Sequence, residues 1–121
     1  MSHSAELASG LRALLDQLGI EPGSVITAGG TADGRIGTSY DAIAAAVKNA
    51  DHGRGVVVLP DLGSAVITAR AVLDDNTQAG AVLVDAPFVE GAVAAAVTAA
   101  SGADLAAVTA AAQEARHAVK F

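Results

Sequence analysis

The chain has 121 residues, of which 52% are hydrophobic and 2% aromatic, a single domain's length with enough apolar content to build one core from Ala, Val, Leu and Ile. A formal net charge of −6 argues against nucleic acid as the main partner, and zero cysteines exclude disulfides and thiolate zinc sites. No apolar run approaches the ~20 residues that span a bilayer, and Met1 to Gly10 carry neither the basic nor the apolar part of a signal peptide, so a cytoplasmic protein is expected.

In chain order, Leu7, Leu11, Leu14, Leu15 and Leu18 recur at helical spacing and predict a first helix from about Ala5. Val25-Ile26-Thr27-Ala28 is a continuous apolar run, as expected of a strand buried on both faces of a parallel sheet. A glycine-rich loop, "AGGTADGRIGTS" from Ala28 to Ser39, leads into a second helix marked by Tyr40, Ile43, Ala44 and Val47. Thr38-Ser39-Tyr40-Asp41 reads as its capping box, with Asp in the usual Glu position. Val56 to Leu59 is the second strand, and Val66, Ala69 and Leu73 mark the third helix. Ala81 to Val84 is the third strand, and Val89, Val93, Ala96 and Val97 mark the fourth helix. The last helix carries Leu105, Val108, Ala112, Ala115 and Val119, while Gly19 and Gly80 suit helix ends or turns into a strand. The alternation is that of one α/β domain over residues 1–121, an open, mainly parallel sheet with helices on both faces.

In such sheets ligands bind beyond the carboxyl ends of the strands. There the sequence gathers His3, before the first helix, and Asp61 in "PDLGS", Pro60 to Ser64. A carboxylate on imidazole Nδ1–H fixes the tautomer and leaves Nε2 as a nucleophile, and the helix start at Gly63-Ser64 offers N–H groups to a phosphoryl group. The arrangement is that of a phosphorylatable histidine. The same residues also read more plainly, His3 as a frayed terminal residue and Asp61 as a helix cap or turn former. His52 and His117 read as solvated surface, and no spacing suggests a metal site. The glycine-rich loop is not a Walker A motif, since Gly29 to Gly34 is followed by Arg35-Ile36, and it holds no G-x-G-x-x-G.

Taken together, "SHS" before an amphipathic helix, "AGGTADGRIGTS", "PDLGSA" and "VDAPFVEGAVAAA" resemble the phosphotransferase subunit of phosphoenolpyruvate-dependent dihydroxyacetone kinase. That subunit contains a domain of the mannose-family EIIA type from the sugar phosphotransferase system. The resemblance runs from Ser2 to about Ala112. It implies that His3 accepts a phosphoryl group from the phosphohistidine carrier protein HPr and passes it to ADP held in the nucleotide-binding kinase subunit. It also implies that Asp61 orients His3, that the domain is a homodimer, and that the subunit itself binds no metal, nucleotide or other cofactor. Gly29, Gly30, Arg35, Thr38, Ser39, Gly63 and Ser64 then form a phosphate and partner rim around the histidine. Alternatives are a mannose-type EIIA domain serving a sugar permease or regulator, and an inactive dimerisation module.

One feature departs from the family. Members begin with an apolar strand that leads into the S-H-S loop and lies centrally, between the first and second readable strands here. Its apparent absence points to a truncated or late-assigned start. The expected consequence is a vacancy that either closes by re-pairing or borrows a strand from a neighbouring protomer, with His3 less well anchored.

Overall fold

The structure, a computed structural model, describes residues 1–77 and 80–121. Helix α1 (Ala5–Asp16) is followed by α2 (Tyr40–Ala50), strand β1 (Val56–Val58), α3 (Gly63–Asp75), strand β2 (Ala81–Leu83), α4 (Phe88–Ala100) and α5 (Leu105–Glu114), with a 3-10 turn at Ala115–His117. β1 and β2 are parallel, with Val56 opposite Ala81 and Val58 opposite Leu83. Side chains alternate across them. Val56 and Val58 pack with Ile43, Val47 and Val72 of α2 and α3 on one face. Val57 and Val82 pack with Ala95, Val108 and Ala112 of α4 and α5 on the other. Helices thus cover both faces, which is why these strands are apolar throughout rather than alternating. Among the described residues, no helix is long and apolar enough to cross a membrane.

The expected first strand is not formed. Among the described residues, Val25 to Ala28 forms no ladder with β1, and beside it Gly29 makes an isolated parallel bridge to Ser2. Met1 and Ser2 lie between this segment and the end of β1, bonded to both. The Met1 ammonium donates to Leu59 O (2.7 Å), and Asp61 N donates to Met1 O (3.1 Å). On the other side, Ser2 N donates to Ala28 O (2.9 Å) and Gly30 N to Ser2 O (3.1 Å). Two residues therefore act as the tip of a central strand.

Below that tip the centre of the sheet is vacant. A cavity of about 280 Å³ runs between the two segments, lined among others by Met1, Leu15, Val25, Ile43, Val57 and Ala96. Of the two expected outcomes for the vacancy, closure by re-pairing does not occur among the described residues. Val25, Ile26, Val57 and Leu59 are only half-buried as a result, and Thr27 is exposed. Protein interiors rarely hold voids much larger than a water molecule.

The helices form where expected, but their buried faces are set by small residues. α3 buries Ala65, Ala69 and Val72, with Val66 and Leu73 beside them half-buried, and α4 buries Gly91, Ala92, Ala95 and Ala96 while Val89 and Val97 are exposed. In α1 only Ala8 and Leu15 are buried, with Leu7 and Leu14 each 48% exposed. α5 ends at Glu114, so Ala115 begins the 3-10 turn and Val119 lies in an exposed tail. Thr38 to Asp41 is not a capping box. Ser39 is the N-cap of α2, accepting from Ala42 N at 3.2 Å, while the Thr38 hydroxyl lies 2.8 Å from that of Thr68.

Candidate functional site

At the carboxyl edge of β1 the chain leaves the sheet through Pro60 and turns at Asp61 before α3 begins. The Met1–Ser2 tip brings His3 to the same place. Asp61 then collects four donors. Oδ2 accepts from the Ser2 hydroxyl (2.9 Å) and the His3 amide (3.0 Å), and Oδ1 accepts from the Leu62 amide (2.8 Å) and lies 2.9 Å from His3 Nδ1. Burial pushes the Asp61 carboxyl upward, but the His3 amide and ring, the Ser2 hydroxyl and the Leu62 amide outweigh it and hold Asp61 below its ordinary value of 3.8. Asp61 is therefore a carboxylate at neutral pH and can only accept.

The tautomer of His3 follows. An acceptor on Nδ1 places the ring proton there, leaving the lone pair of a neutral imidazole on Nε2. Nε2 lies 2.9 Å from Ser64 Oγ, which then is the donor. His3 is held by its backbone as well, its carbonyl accepting from Gly37 N at 2.9 Å. Its side chain remains 18% exposed while that of Asp61 is 7% exposed, so the ring keeps some surface open and its carboxylate partner is nearly covered.

α1 starts immediately after the histidine. The Ser4 hydroxyl accepts from Leu7 N (3.1 Å) as N-cap, and Ser4 N in turn donates to Ser2 Oγ (3.0 Å). Ser2 is itself 1% exposed, so its hydroxyl is a buried bridge between the helix start and Asp61. α3 begins on the opposite side with no side-chain cap at Leu62, and no partner is found among the described residues for the N–H groups of Gly63 and Ser64. His3 Nε2 thus meets Ser64 at an uncapped helix start.

The glycine-rich loop has a different position from the one its composition suggests. Gly29 packs under the start of α1, where a Cβ would come within 2.7 Å of Ala5 Cα and 2.8 Å of Ser4 O. Gly30, at φ +73°, turns the chain to bond Ser2. Their bare backbone seats the histidine's own segment. Arg35 is 83% exposed and paired with Asp33 at 3.1 Å, within its own loop. Thr38 and Ser39 are occupied by Thr68 and by the cap of α2. Of the nine residues picked out by sequence, the structure brings His3, Asp61 and Ser64 into direct contact, with Gly63 adjoining and Gly29 and Gly30 behind. Ser2 and Gly37, which also hold His3, are not among those nine. A serine flanking the histidine in a loop placed between two strand ends was the available signal for Ser2, and Gly37 had none beyond its composition. His52 and His117 are exposed and far in sequence from these contacts.

The family model EIIA-man, described as PTS system fructose IIA component, matches residues 1–109. The chain is 34% identical over 100 residues to the PEP-dependent dihydroxyacetone kinase 2 phosphoryl donor subunit DhaM of Listeria innocua, covering 80% of each chain. It is 33% identical over 95 residues to the PTS-dependent dihydroxyacetone kinase phosphotransferase subunit DhaM of Lactococcus lactis, covering 78% of this chain and 75% of the other. Among solved structures, a crystal structure of a protein of unknown function matches with TM-score 0.79 at 37% identity, over 93% of this chain and 88% of that one.

Proposed function

Because the chain belongs to the EIIA-man family, we propose that it is the phosphoryl donor subunit of a dihydroxyacetone kinase, carrying the group on His3 Nε2. The observation that carries the reading is the chain of contacts Asp61 Oδ1–His3 Nδ1 and His3 Nε2–Ser64 Oγ, each 2.9 Å. It leaves one nitrogen with a lone pair, on an accessible ring, in front of an uncapped helix start.

In the first step the Nε2 lone pair attacks the phosphorus of a phosphohistidine on a donor protein of the HPr kind. The Nε2–P bond forms, the donor's N–P bond breaks, and its electron pair returns to the donor ring. Ser64 gives up its hydrogen bond to Nε2 and can donate to a phosphoryl oxygen instead, beside the N–H groups of Gly63 and Ser64. Positive charge develops on the His3 ring and is stabilised by Asp61, as in a histidine–carboxylate pair. In the second step an oxygen of the ADP β-phosphate attacks the phosphorus and the electron pair returns to Nε2. ADP is bound by the nucleotide-binding kinase subunit in this reading. The start of α3 at Gly63 and Ser64 and the exposed Arg35 form the rim on which the partner docks, while Gly29 and Gly30 seat the segment that carries His3.

The test is incubation with phosphoenolpyruvate, enzyme I and HPr, followed by assay for an acid-labile phosphoryl group. Labelling is expected in the parent and in His52→Gln and is abolished in His3→Gln. Labelling that persists in His3→Gln ends the proposal. A second reading, a IIA domain serving a sugar permease, is favoured by the words of the family description. Transfer from the labelled chain to a sugar-permease component, with none to ADP on a dihydroxyacetone kinase subunit, selects it.

A further inference from the structure

Ser2 stands one residue before the histidine and is buried although polar, at 1% exposure. All of its hydrogen-bonding groups are in use. Its amide donates to Ala28 O (2.9 Å) and its carbonyl accepts from Gly30 N (3.1 Å), which pins its backbone to the neighbouring segment. Its hydroxyl makes two further bonds, to Ser4 N at 3.0 Å and to Asp61 Oδ2 at 2.9 Å. The direction of each is forced. An amide only donates, so Ser2 Oγ accepts from Ser4, and the ionised Asp61 only accepts, so the single hydroxyl hydrogen goes to Oδ2.

What this hydroxyl can do follows from the freedom of the group it binds. The carboxylate of Asp61 turns about a torsion whose wells are broad, so its own chemistry does not hold Oδ1 in front of His3 Nδ1. Neighbours must. Two of them are the backbone amides of Leu62 on Oδ1 and of His3 on Oδ2. Ser2 adds a side-chain donor that is itself fixed, by its backbone and by Ser4 N. Ser4 is the N-cap of α1, so its N–H lies at the positive end of that helix, and accepting from it makes the Ser2 hydroxyl a stronger donor. Ser4 N, Ser2 Oγ, Asp61, the His3 ring and Ser64 Oγ thus form one continuous chain with links of 2.9 to 3.0 Å. Little solvent reaches its inner end. Removing Ser2 Oγ takes a donor from a carboxylate whose side chain is 7% exposed and leaves Ser4 N–H without its acceptor.

We propose that Ser2 is a positioning residue for the nucleophile, its hydroxyl fixing the Asp61 carboxylate so that Oδ1 meets His3 Nδ1 and the ring keeps the tautomer with a free Nε2. Ser2 acts through Asp61 and touches neither Nε2 nor the phosphoryl group. Without its hydroxyl the carboxylate swings, Nδ1 loses its fixed acceptor, and the ring populates the tautomer protonated on Nε2. That form has no lone pair there and cannot attack phosphorus. The effect on rate rests on the phosphoryl transfer through His3 proposed for this site, whereas the effect on the tautomer belongs to the resting chain alone. A hydroxyl that merely fastened the start of α1 would cost stability and leave the ring as it is.

The test compares the full chain with Ser2→Ala and with Ser2→Thr, which restores a hydroxyl. A third variant, Asp104→Ala, removes the N-cap of α5 and lowers stability away from the site. Nitrogen NMR of the His3 ring at alkaline pH, where imidazole is neutral, reads the tautomer without any transfer. The parent, Ser2→Thr and Asp104→Ala are expected to show the form protonated on Nδ1, and Ser2→Ala intermediate shifts from a mixture. In rapid-quench labelling from phosphorylated HPr, Ser2→Ala should transfer about tenfold more slowly at saturating donor, the scale of one hydrogen bond to a charged group. The donor concentration for half-maximal rate should be unchanged, and Asp104→Ala should transfer as the parent does. An unchanged tautomer in Ser2→Ala overturns the proposal whatever its rate, and so does an unchanged rate. A folded Ser2→Thr that behaves as Ser2→Ala does, or the same losses in Asp104→Ala, also overturns it. If the threonine methyl prevents folding, Ser2→Ala against Asp104→Ala decides alone. A parent chain that takes no label refutes the transfer reading, and the tautomer then still decides the role of Ser2.

Discussion

Above Ser2 and below Met1, one stretch of sheet presents two opposite environments. At the upper edge, four donors fill Asp61, both nitrogens of His3 have partners, and the His3 carbonyl is bonded to Gly37. In the slot below, two strand edges face each other across about 280 Å³ with their polar groups unpaired among the described residues. Only two residues separate these regions. The backbone bonds that place His3 are thus made within a few residues of it. The four bonds of Met1 and Ser2, the Gly37 contact and the cap of α1 hold His3 in place.

The largest predicted effect lies at the saturated edge. Asp61→Ala should slow phosphoryl transfer roughly 10²- to 10⁴-fold, the range for losing the group that orients a catalytic histidine, as rapid-quench labelling would measure. An unchanged rate would mean that Ser64 and the backbone orient the ring without it. Next, Gly29→Val tests whether the seam between edge and slot is as tight as the contacts imply. Its side chain must displace the backbone of Ser4 and Ala5, and a loss of about 1–3 kcal/mol in urea unfolding is expected. A neutral result would show that the start of α1 yields.

A matched pair then contrasts the well-packed and vacant parts directly. Ala65 is 0% exposed between α3 and its neighbours, whereas Ala96 lines the slot. Ala65→Leu should cost about 1–3 kcal/mol, while Ala96→Leu should gain roughly 0.5–2 kcal/mol by filling space. If both are equally destabilising, the slot is not available volume.

The smallest effects separate the regions by pH. Asp61 has a folded pKa below 3.8, so its contribution is complete above that value and lost as pH falls through the folded one. The Met1 ammonium has a folded pKa of about 6 against 8.0, so the unfolded chain binds the extra proton between them and stability rises with pH across that window. Melting curves in a His3→Gln background should show both steps. Asp61→Asn should remove the acid step alone, and amino-terminal acetylation the other.

Much of this was legible in the residues. Val56 to Leu59 and Ala81 to Val84 are unbroken apolar runs, and burial on both faces explains them. His3 and Asp61 could be placed together because both follow, or stand in for, strand ends at one edge. The faces of the helices were less legible, because α3 and α4 approach the sheet through Ala65, Ala69, Ala92, Ala95 and Ala96. Alanine is small enough for close packing yet barely distinguishes one side of a helix from another, so the larger Val66, Val89 and Val97 misled. Val25 to Ala28 has a strand's composition, but pairing is a property of two segments, and among the described residues only Ser2 meets this one. The roles of Gly29 and Gly30 depended on what approaches them, which composition does not record.

The four donors around Asp61 also decide what it cannot do. With both oxygens occupied and ionisation favoured, the carboxylate has little capacity to receive the Nδ1 proton when the ring becomes positive. In the proposed transfer that proton stays on the ring throughout, and the second step expels a neutral imidazole already in the tautomer needed for the next cycle. In that cycle the site returns to its starting state without exchanging a proton with water.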